Sequence, residues 1–292
     1  MKPLYIILGQ TATGKTDLSI KLAKKLGGEI VSADSRQVYI GMDIGTAKIT
    51  SAEMEGIPHY MIDIADPWTE TYTVADYVRD GRKVLSDIWS RNKTPIIVGG
   101  TGMYIDALVG RITLDGPASD PVFRKELESQ ELPVLLDRLK NLDKDIYNSI
   151  DQDNKIRVVR AIERLELPAA DYSEILPFPD DVQIHWIGLR RDMDELRTRI
   201  HHRNVQRLEN GLIEEVQALH EKELSWERME RLGLEYRYVG RHIRGEIVEK
   251  DELIHLLDTK TNQYAKRQMT WFRKNQDIQW HNPDGIENIS DL

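Results

Sequence analysis

Short apolar runs alternate with helix-spaced apolar positions along the first hundred residues of the chain. Leu4-Tyr5-Ile6-Ile7-Leu8 predicts a buried strand, and Leu18, Leu22 and Leu26 then recur on one helix face that Gly27-Gly28 brings to an end. Glu29-Ile30-Val31-Ser32-Ala33 predicts a second strand, and residues 59–64 a third. Val74, Tyr77, Val78, Gly81, Leu85 and Ile88 line one face of a helix over residues 73–89. Pro95-Ile96-Ile97-Val98 predicts another buried strand, followed by a helix over 103–109. Residues 38–56 are broken up by glycines, including Gly41 and Gly45, which predicts an extended loop rather than a packed element. Loops of that length inside compact domains are functional or mobile. The pattern changes at Asp115-Gly116-Pro117-Ala118-Ser119-Asp120-Pro121 and again at Pro168, Pro177 and Pro179. Between those breaks the chain is helix-like, charged and nearly free of strand signals. Val182, Ile184, Trp186, Ile187 and Leu189 then return to a strand pattern, with helical sequence beyond. The alternation predicts an α/β core from residues 1–117 and 183–292, its parallel sheet covered by helices on both faces. Residues 118–182 form an inserted helical domain, and the C-terminal region is helical.

Composition narrows the classes. The chain has 292 residues, no cysteine and a net charge of −9. Without thiols there are no disulfides, thiolate zinc sites or cysteine-held iron–sulfur clusters, and the expected location is the cytoplasm. No apolar run approaches the roughly twenty residues of a membrane span. The first strand begins almost at once, leaving no room for a signal peptide. The acidic balance argues against a basic coat over the whole surface. A local basic groove is still effective, because phosphates feel charges within about 8 Å. Nothing in the pattern demands more than a monomer.

The candidate chemistry starts immediately after the first strand. Gly9-Gln10-Thr11-Ala12-Thr13-Gly14-Lys15-Thr16 is a complete G-x-x-x-x-G-K-T motif between a strand and a helix. The two glycines let consecutive N–H groups turn inward, and the helix start adds its unpaired N–H groups. Lys15 brings a full positive charge, and the Thr16 hydroxyl suits magnesium. This makes the core a P-loop type of fold. Asp34 ends the second strand, where parallel sheets place their ligands; it either acts on a ligand there or caps a turn. Gly99-Gly100-Thr101-Gly102 ends the strand at 95–98 without the acid that orients magnesium and water in many nucleotide hydrolases. It either admits a large neighbour to the backbone or makes a tight turn. His59 reads as a packed or hydrogen-bonded histidine rather than a metal ligand. Arg157, Arg160 and Arg164 recur on one helix face beside Lys155, as a phosphate-contacting row or a solvated one. Arg190, Arg191, Arg197, Arg199, Arg203 and Arg207 are interleaved with acids, which reads in part as surface pairing. Lys260, Lys266, Arg267, Arg273 and Lys274 alternate with Tyr264, Trp271 and Phe272 and no acid. That suits a nucleic-acid strand on one face and core packing on the other.

Taken together, these segments resemble the tRNA dimethylallyltransferases, also called tRNA isopentenyltransferases or the IPP transferase family. The resemblance rests on the P-loop, on Asp34-Ser35-Arg36-Gln37-Val38-Tyr39 continuing to Gly41-Met42-Asp43-Ile44-Gly45-Thr46-Ala47-Lys48, and on Ile57-Pro58-His59-Tyr60-Met61-Ile62-Asp63. It continues in Gly99-Gly100-Thr101-Gly102-Met103-Tyr104-Ile105, Arg157-Val158-Val159-Arg160-Ala161-Ile162-Glu163 and Tyr264-Ala265-Lys266-Arg267-Gln268-Met269-Thr270-Trp271-Phe272-Arg273. The segments run in family order over nearly the whole chain. Three places depart from the family pattern: the order Asp153-Asn154, the stretch Leu165-Glu166-Leu167-Pro168, and Gly233-Leu234-Glu235-Tyr236-Arg237 in place of a Gly-Tyr-Lys-Glu segment.

The resemblance implies transfer of a dimethylallyl group from dimethylallyl diphosphate to N6 of the adenine just 3′ of the anticodon. It implies Gly9 to Thr16 as the diphosphate site with Mg2+ on Thr16, Asp34 as the base, and Lys15 and Thr101 as its catalytic partners. It implies tRNA contacts at Asp34, Ser35, Arg36, Gln37 and Thr101, at Arg124, Ile156, Arg157, Val158, Val159 and Arg160 of the insertion, and at Lys266, Arg267 and Arg273. Competing readings are an adenylate isopentenyltransferase acting on a free nucleotide, a small-molecule kinase holding ATP in the same loop, and a non-catalytic RNA-binding protein. The basic aromatic segment at 260–274 and the long insertion argue against the kinase, and intact Lys15, Thr16 and Asp34 against the non-catalytic protein.

Overall fold

The computed structural model describes residues 1–69, 71–117 and 120–286. In chain order it contains β1 (Lys2–Gly9), α1 (Lys15–Leu26), β2 (Glu29–Ala33), β3 (His59–Tyr60), α2 (Val74–Ser90), β4 (Pro95–Gly99) and α3 (Gly102–Leu108). Four helices follow: α4 (Pro121–Ser129), α5 (Leu132–Leu142), α6 (Lys144–Ser149) and α7 (Lys155–Glu166). The chain then forms β5 (Val182–Leu189), α8 (Met193–Glu209), α9 (Leu212–Glu221), α10 (Trp226–Leu232), α11 (Leu234–Ile243), α12 (Lys250–Phe272) and β6 (Gln279–His281). Among the described residues, no helix is long and apolar enough to cross a membrane.

The six strands form one sheet in the order β3-β2-β4-β1-β5-β6, every neighbouring pair parallel. β1 lies at its centre, with Ile6 opposite Ile97 on one side and Trp186 on the other. Alternation along β1 sorts its side chains onto the two faces. Leu4, Ile6 and Leu8 pack with Tyr77, Leu85, Ile105 and Leu108 of α2 and α3. Ile7 packs the other way, with Leu18, Ile20 and Leu22 of α1. Burial on both faces explains why the central strands read as continuous apolar runs. α1 stops where Gly27 takes the left-handed conformation (φ 59°), which a side chain would resist. Thr73 begins α2 by exchanging hydrogen bonds with Asp76.

The chain divides into two compact units, residues 1–112 with 176–292, and residues 113–175. The expected junctions were 117/118 and 182/183. Ala118 and Ser119 lie outside the described residues. The second junction comes earlier because the chain re-enters the core before its strand: the Leu176 carbonyl accepts from Arg82 at 2.7 Å, and the Phe178 ring packs edge-on against Trp89. The 113–175 unit has its own core of Leu127, Leu135, Leu139, Val158, Val159 and Ile162.

Two expectations for the region after β2 are corrected. β3 is only His59–Tyr60, since Met61 and Asp63 take positive φ (64° and 53°) and turn the chain out of the sheet. The 38–56 segment is not an unpacked loop: Val38, Tyr39 and Met42 are fully buried against α9, α11 and α12. The Glu215 carboxylate at the start of α9 accepts the N–H groups of Asp43 (3.0 Å), Ile44 (2.7 Å) and Gly45 (3.0 Å), and the Tyr236 hydroxyl (2.7 Å). No side chain fits at Gly45, where a Cβ would lie 2.6 Å from the Tyr236 ring. Lys48, almost buried, donates to the Tyr39 carbonyl and pairs with Asp43 and Asp63. Glu215→Ala strands three loop N–H groups, and the expected loss is about 2 kcal/mol of stability, read as a lower urea midpoint. An unchanged midpoint would show that water replaces the carboxylate without cost.

Candidate active site

The P-loop is shaped by contacts from distant parts of the chain. Gly9 has φ 149°, and a Cβ there would lie 2.3 Å from the Leu189 carbonyl oxygen of β5, so only glycine lets the strands lie so close. Gly14 (φ 91°) caps α1 in the left-handed conformation. The Thr13 hydroxyl and the Lys15 ammonium both donate to the Gln10 carbonyl, at 2.8 and 2.7 Å. The buried Gln10 amide reaches the Ala265 carbonyl of α12 at 3.2 Å. Thr16 stands exposed in the first turn of α1.

Three arginines from the α8 region close over the loop. Arg203 donates to the Thr11 hydroxyl (2.6 Å), Arg199 to the Ala12 carbonyl (2.9 Å) and Arg191 to the Thr13 carbonyl (3.4 Å). Arg191 is held by Asp284 (2.6 Å) and by Glu195. Among the described residues Arg203 has no carboxylate partner of its own, and its buried Nε makes no hydrogen bond. Burial, and then the neighbouring Arg207, push Arg203 down to about 9. Burial, and then Arg203, push Lys15 down to about 8 against the pull of Asp34. An arginine that lowers the proton affinity of the neighbouring lysine, beside the N–H groups of the loop, marks a place that stabilises a polyanion. The interleaved acids predict surface pairing for part of the α8 arginines, yet Arg199 and Arg203 reach the loop. Their spacing at 199, 203 and 207 puts them on one helix face, which was the available signal.

Asp34 follows β2 at the same sheet edge. Its Oδ1 accepts the N–H groups of Arg36 (2.8 Å) and Gln37 (3.4 Å), so one oxygen does cap the turn. Oδ2 carries no hydrogen bond among the described residues. The Ser35 N–H donates to the Thr101 hydroxyl at 3.1 Å, and the Thr101 N–H to the Ala33 carbonyl at 3.1 Å. The β4–α3 turn and the end of β2 are thereby locked together. Tyr264 of α12 stands in the field of Asp34, and burial, reinforced by that carboxylate, pushes its hydroxyl up to about 12. Gln37 is taken up by its own chain: its amide donates to the Thr46 and Ala47 carbonyls at 3.3 and 3.1 Å and accepts from Ser32 at 3.1 Å.

The neighbours that the glycines after β4 admit belong to this chain. A Cβ on Gly99 would lie 2.2 Å from the Ala33 carbonyl oxygen, one on Gly100 2.2 Å from the Gln268 amide, and one on Gly102 2.3 Å from the Trp271 ring. Trp271 also donates to Asp106 at 2.7 Å. α12 buries Ala265, Gln268 and Phe272 and exposes Lys266, Arg267 and, at its end, Arg273. The Arg267 guanidinium lies 5.8 Å from the Tyr264 ring.

In the 113–175 unit the expected contact residues divide. Val158 and Val159 point into the core of that unit, so their side chains meet no outside partner. Ile156 is 80% exposed. Arg124 makes a two-pronged pair with the fully buried Glu163 (2.8 and 2.7 Å), and Arg160 joins it at 3.1 Å. Burial raises the Glu163 carboxyl, but the two guanidiniums outweigh it and hold the group below its ordinary value. Arg157 and Arg164 pair with Asp151 (3.5 Å) and Asp115 (3.0 Å). Asn154, in the reversed Asp153-Asn154 pair, caps α7. In the departing segment at 233–237, Glu235 pairs with Arg207 (2.6 Å) and Tyr236 with Glu215.

Fold and site together define a P-loop α/β protein with cations over the loop and, at the same sheet edge, a carboxylate with one oxygen unbonded among the described residues. The IPP transferase family model matches residues 37–275. The chain is 41% identical over 287 residues to the tRNA dimethylallyltransferase of Bacillus pumilus, covering 96% of this chain and 89% of that one. Among solved structures, the tRNA isopentenylpyrophosphate transferase of Bacillus halodurans is 37% identical, with a TM-score of 0.68 over 96% of this chain and 90% of that one. A eukaryotic dimethylallyltransferase acting on tRNA is 27% identical, with a TM-score of 0.77 over all of this chain and 77% of that one. This chain belongs to the IPP transferase family.

Proposed function

We infer that this protein transfers a dimethylallyl group from dimethylallyl diphosphate to N6 of the adenine just 3′ of the anticodon of tRNA, releasing diphosphate. The observation that carries the reading is the position of Asp34, one oxygen uncommitted, within the field of the Lys15 ammonium that leans over the P-loop. As the allylic carbon–oxygen bond breaks, its electron pair leaves with the diphosphate. Lys15, Arg203 and the loop N–H groups stabilise that charge. The N6 lone pair forms the new carbon–nitrogen bond. The N6 proton, acidified by that bond, passes to Asp34. The adenine must leave its stack to reach this rim. Thr101, held by the Ser35 N–H, and Arg36 stand beside Asp34 where the base would arrive.

Thr16 offers a hard oxygen donor that fits Mg2+. Among the described residues there is no cluster of three or more acids and histidines to make a protein cage. The ion's other ligands would therefore be diphosphate oxygens and water, and it would lend positive charge to the leaving group. Lys266, Arg267 and Arg273 provide an RNA-facing surface on α12. Ile156, Arg157 and Arg160 provide one on the inserted 113–175 unit, where we place a tRNA-binding role. The tRNA substrate and the absence of thiols fit a cytoplasmic enzyme.

The titration of Lys15 gives a sign. Its ammonium, titrating at about 8 in the free protein, is the form that binds the diphosphate. Loss of that proton therefore lowers kcat/KM for the donor as the pH rises through about 8; Lys15→Arg moves the fall to higher pH. A flat profile to pH 10 contradicts the role given to Lys15.

Labelled dimethylallyl diphosphate and magnesium, offered with an anticodon stem-loop in one tube and AMP in another, test the function. Label in the RNA alone supports the reading. Label in AMP alone moves the protein to the free-nucleotide enzymes. ATP turnover with neither acceptor labelled returns the kinase reading.

A further inference from the structure

We propose that Gln268 is a positioning residue that sets the distance between the donor's phosphate loop and the acceptor rim, and ties both to the RNA-facing helix α12. The proposal rests on the function inferred above. The Gln268 side chain is buried, and both ends of its amide are used. Its Oε1 accepts the Thr11 N–H of the P-loop at 2.9 Å, and its Nε2 donates to the Gly100 carbonyl at 3.0 Å. Gly100 has no room for a side chain because this amide occupies the space. Gly100 precedes Thr101, whose hydroxyl holds the Ser35 N–H next to Asp34. One carboxamide therefore stands between the loop that holds the leaving group and the turn that holds the base. One helical turn back, the Ala265 carbonyl holds Gln10. Lys266 and Arg267, between them, face outward. RNA seated on those cations therefore bears on the helix that fixes the separation of the reacting atoms.

The chemistry explains why the residue is an amide. The Thr11 N–H needs an acceptor and the Gly100 carbonyl needs a donor, at every pH. Glutamine supplies both without charge. A carboxylate would face the Gly100 carbonyl with an acceptor, and methionine would fill the space with neither. Displacing reacting atoms by about 1 Å costs on the order of a hundredfold in rate.

The test uses the full chain with Gln268→Glu and Gln268→Met, and reads kcat for transfer to the stem-loop against wild type at each pH. At pH 8 both variants are expected to fall about a hundredfold. The carboxyl introduced by Gln268→Glu is buried opposite a carbonyl, so its pKa is raised. As the pH falls through that pKa it regains one donor and one acceptor, and the ratio to wild type climbs. The ratio for Gln268→Met stays low throughout. A residue that only supports the fold would give no such recovery with acid. A Gln268→Glu ratio that is flat with pH, or near one at pH 8, overturns the proposal. Wild-type transfer runs alongside, and its absence overturns the inferred function instead. In that event calorimetry with inorganic diphosphate decides the matter for Gln268. Gln268→Met, which strips Thr11 of its partner, is expected to bind about tenfold more weakly; unchanged affinity overturns its hold on the loop.

Discussion

Asp34→Asn is expected to cut transfer to the stem-loop by about a thousandfold, within the range of general-base catalysis, while binding of RNA and donor changes little. The amide oxygen can still accept the Arg36 and Gln37 N–H groups, so the turn survives. What disappears is the second oxygen's capacity to take the N6 proton. Asparagine separates the two duties of the side chain, which alanine would remove together. Single-turnover rates and filter binding measure the two halves. Loss of RNA binding in step with the rate would make Asp34 a structural residue of the pocket.

Lys15→Met has the other large effect. Removing one preorganised charge from a developing oxyanion costs about 3 to 4 kcal/mol, on the order of several hundredfold in kcat/KM for the donor. The loss is expected to be larger than that of Arg203→Ala, because Arg203 also bonds to Thr11 and a water can fill part of its place. After burial, Arg203 is the main influence that lowers the proton affinity of Lys15. Arg203→Ala therefore raises the Lys15 pKa and moves the alkaline limb of the donor profile upward. An unmoved limb would show that the two groups do not share one site.

The parts of this protein that were legible in the sequence are those written locally. The P-loop needs a strand, eight residues and a helix, all contiguous. β2 and β5 matched their apolar runs to the residue because pleated burial has a period that a short window reveals. Asp34 could be placed because strand ends in a parallel sheet share an edge. Arg203 and Gln268 were not legible in these roles. They meet Thr11 across 192 and 257 residues, and nothing local distinguishes a loop-holding arginine from its paired neighbours. The glycines after β4 were legible as close approaches, but the identity of the neighbour, α12 of the same chain, was not. The arginine row of α7 misled in part: Arg160 serves a buried Glu163, and periodicity cannot tell a cation facing solvent from one turned to an internal acid. β6, three residues long, lies below the length at which a strand pattern can be recognised.

The most direct measurement is mass spectrometry of the nucleosides released from the stem-loop after incubation with dimethylallyl diphosphate and magnesium. The account predicts one product, the adenosine next to the anticodon carrying a dimethylallyl group on N6 in place of one hydrogen. Inorganic diphosphate is released in equal amount, and Asp34→Asn forms both about a thousandfold more slowly. Unmodified adenosine from a protein that binds both RNA and donor, or the group found on another nucleoside, would contradict it.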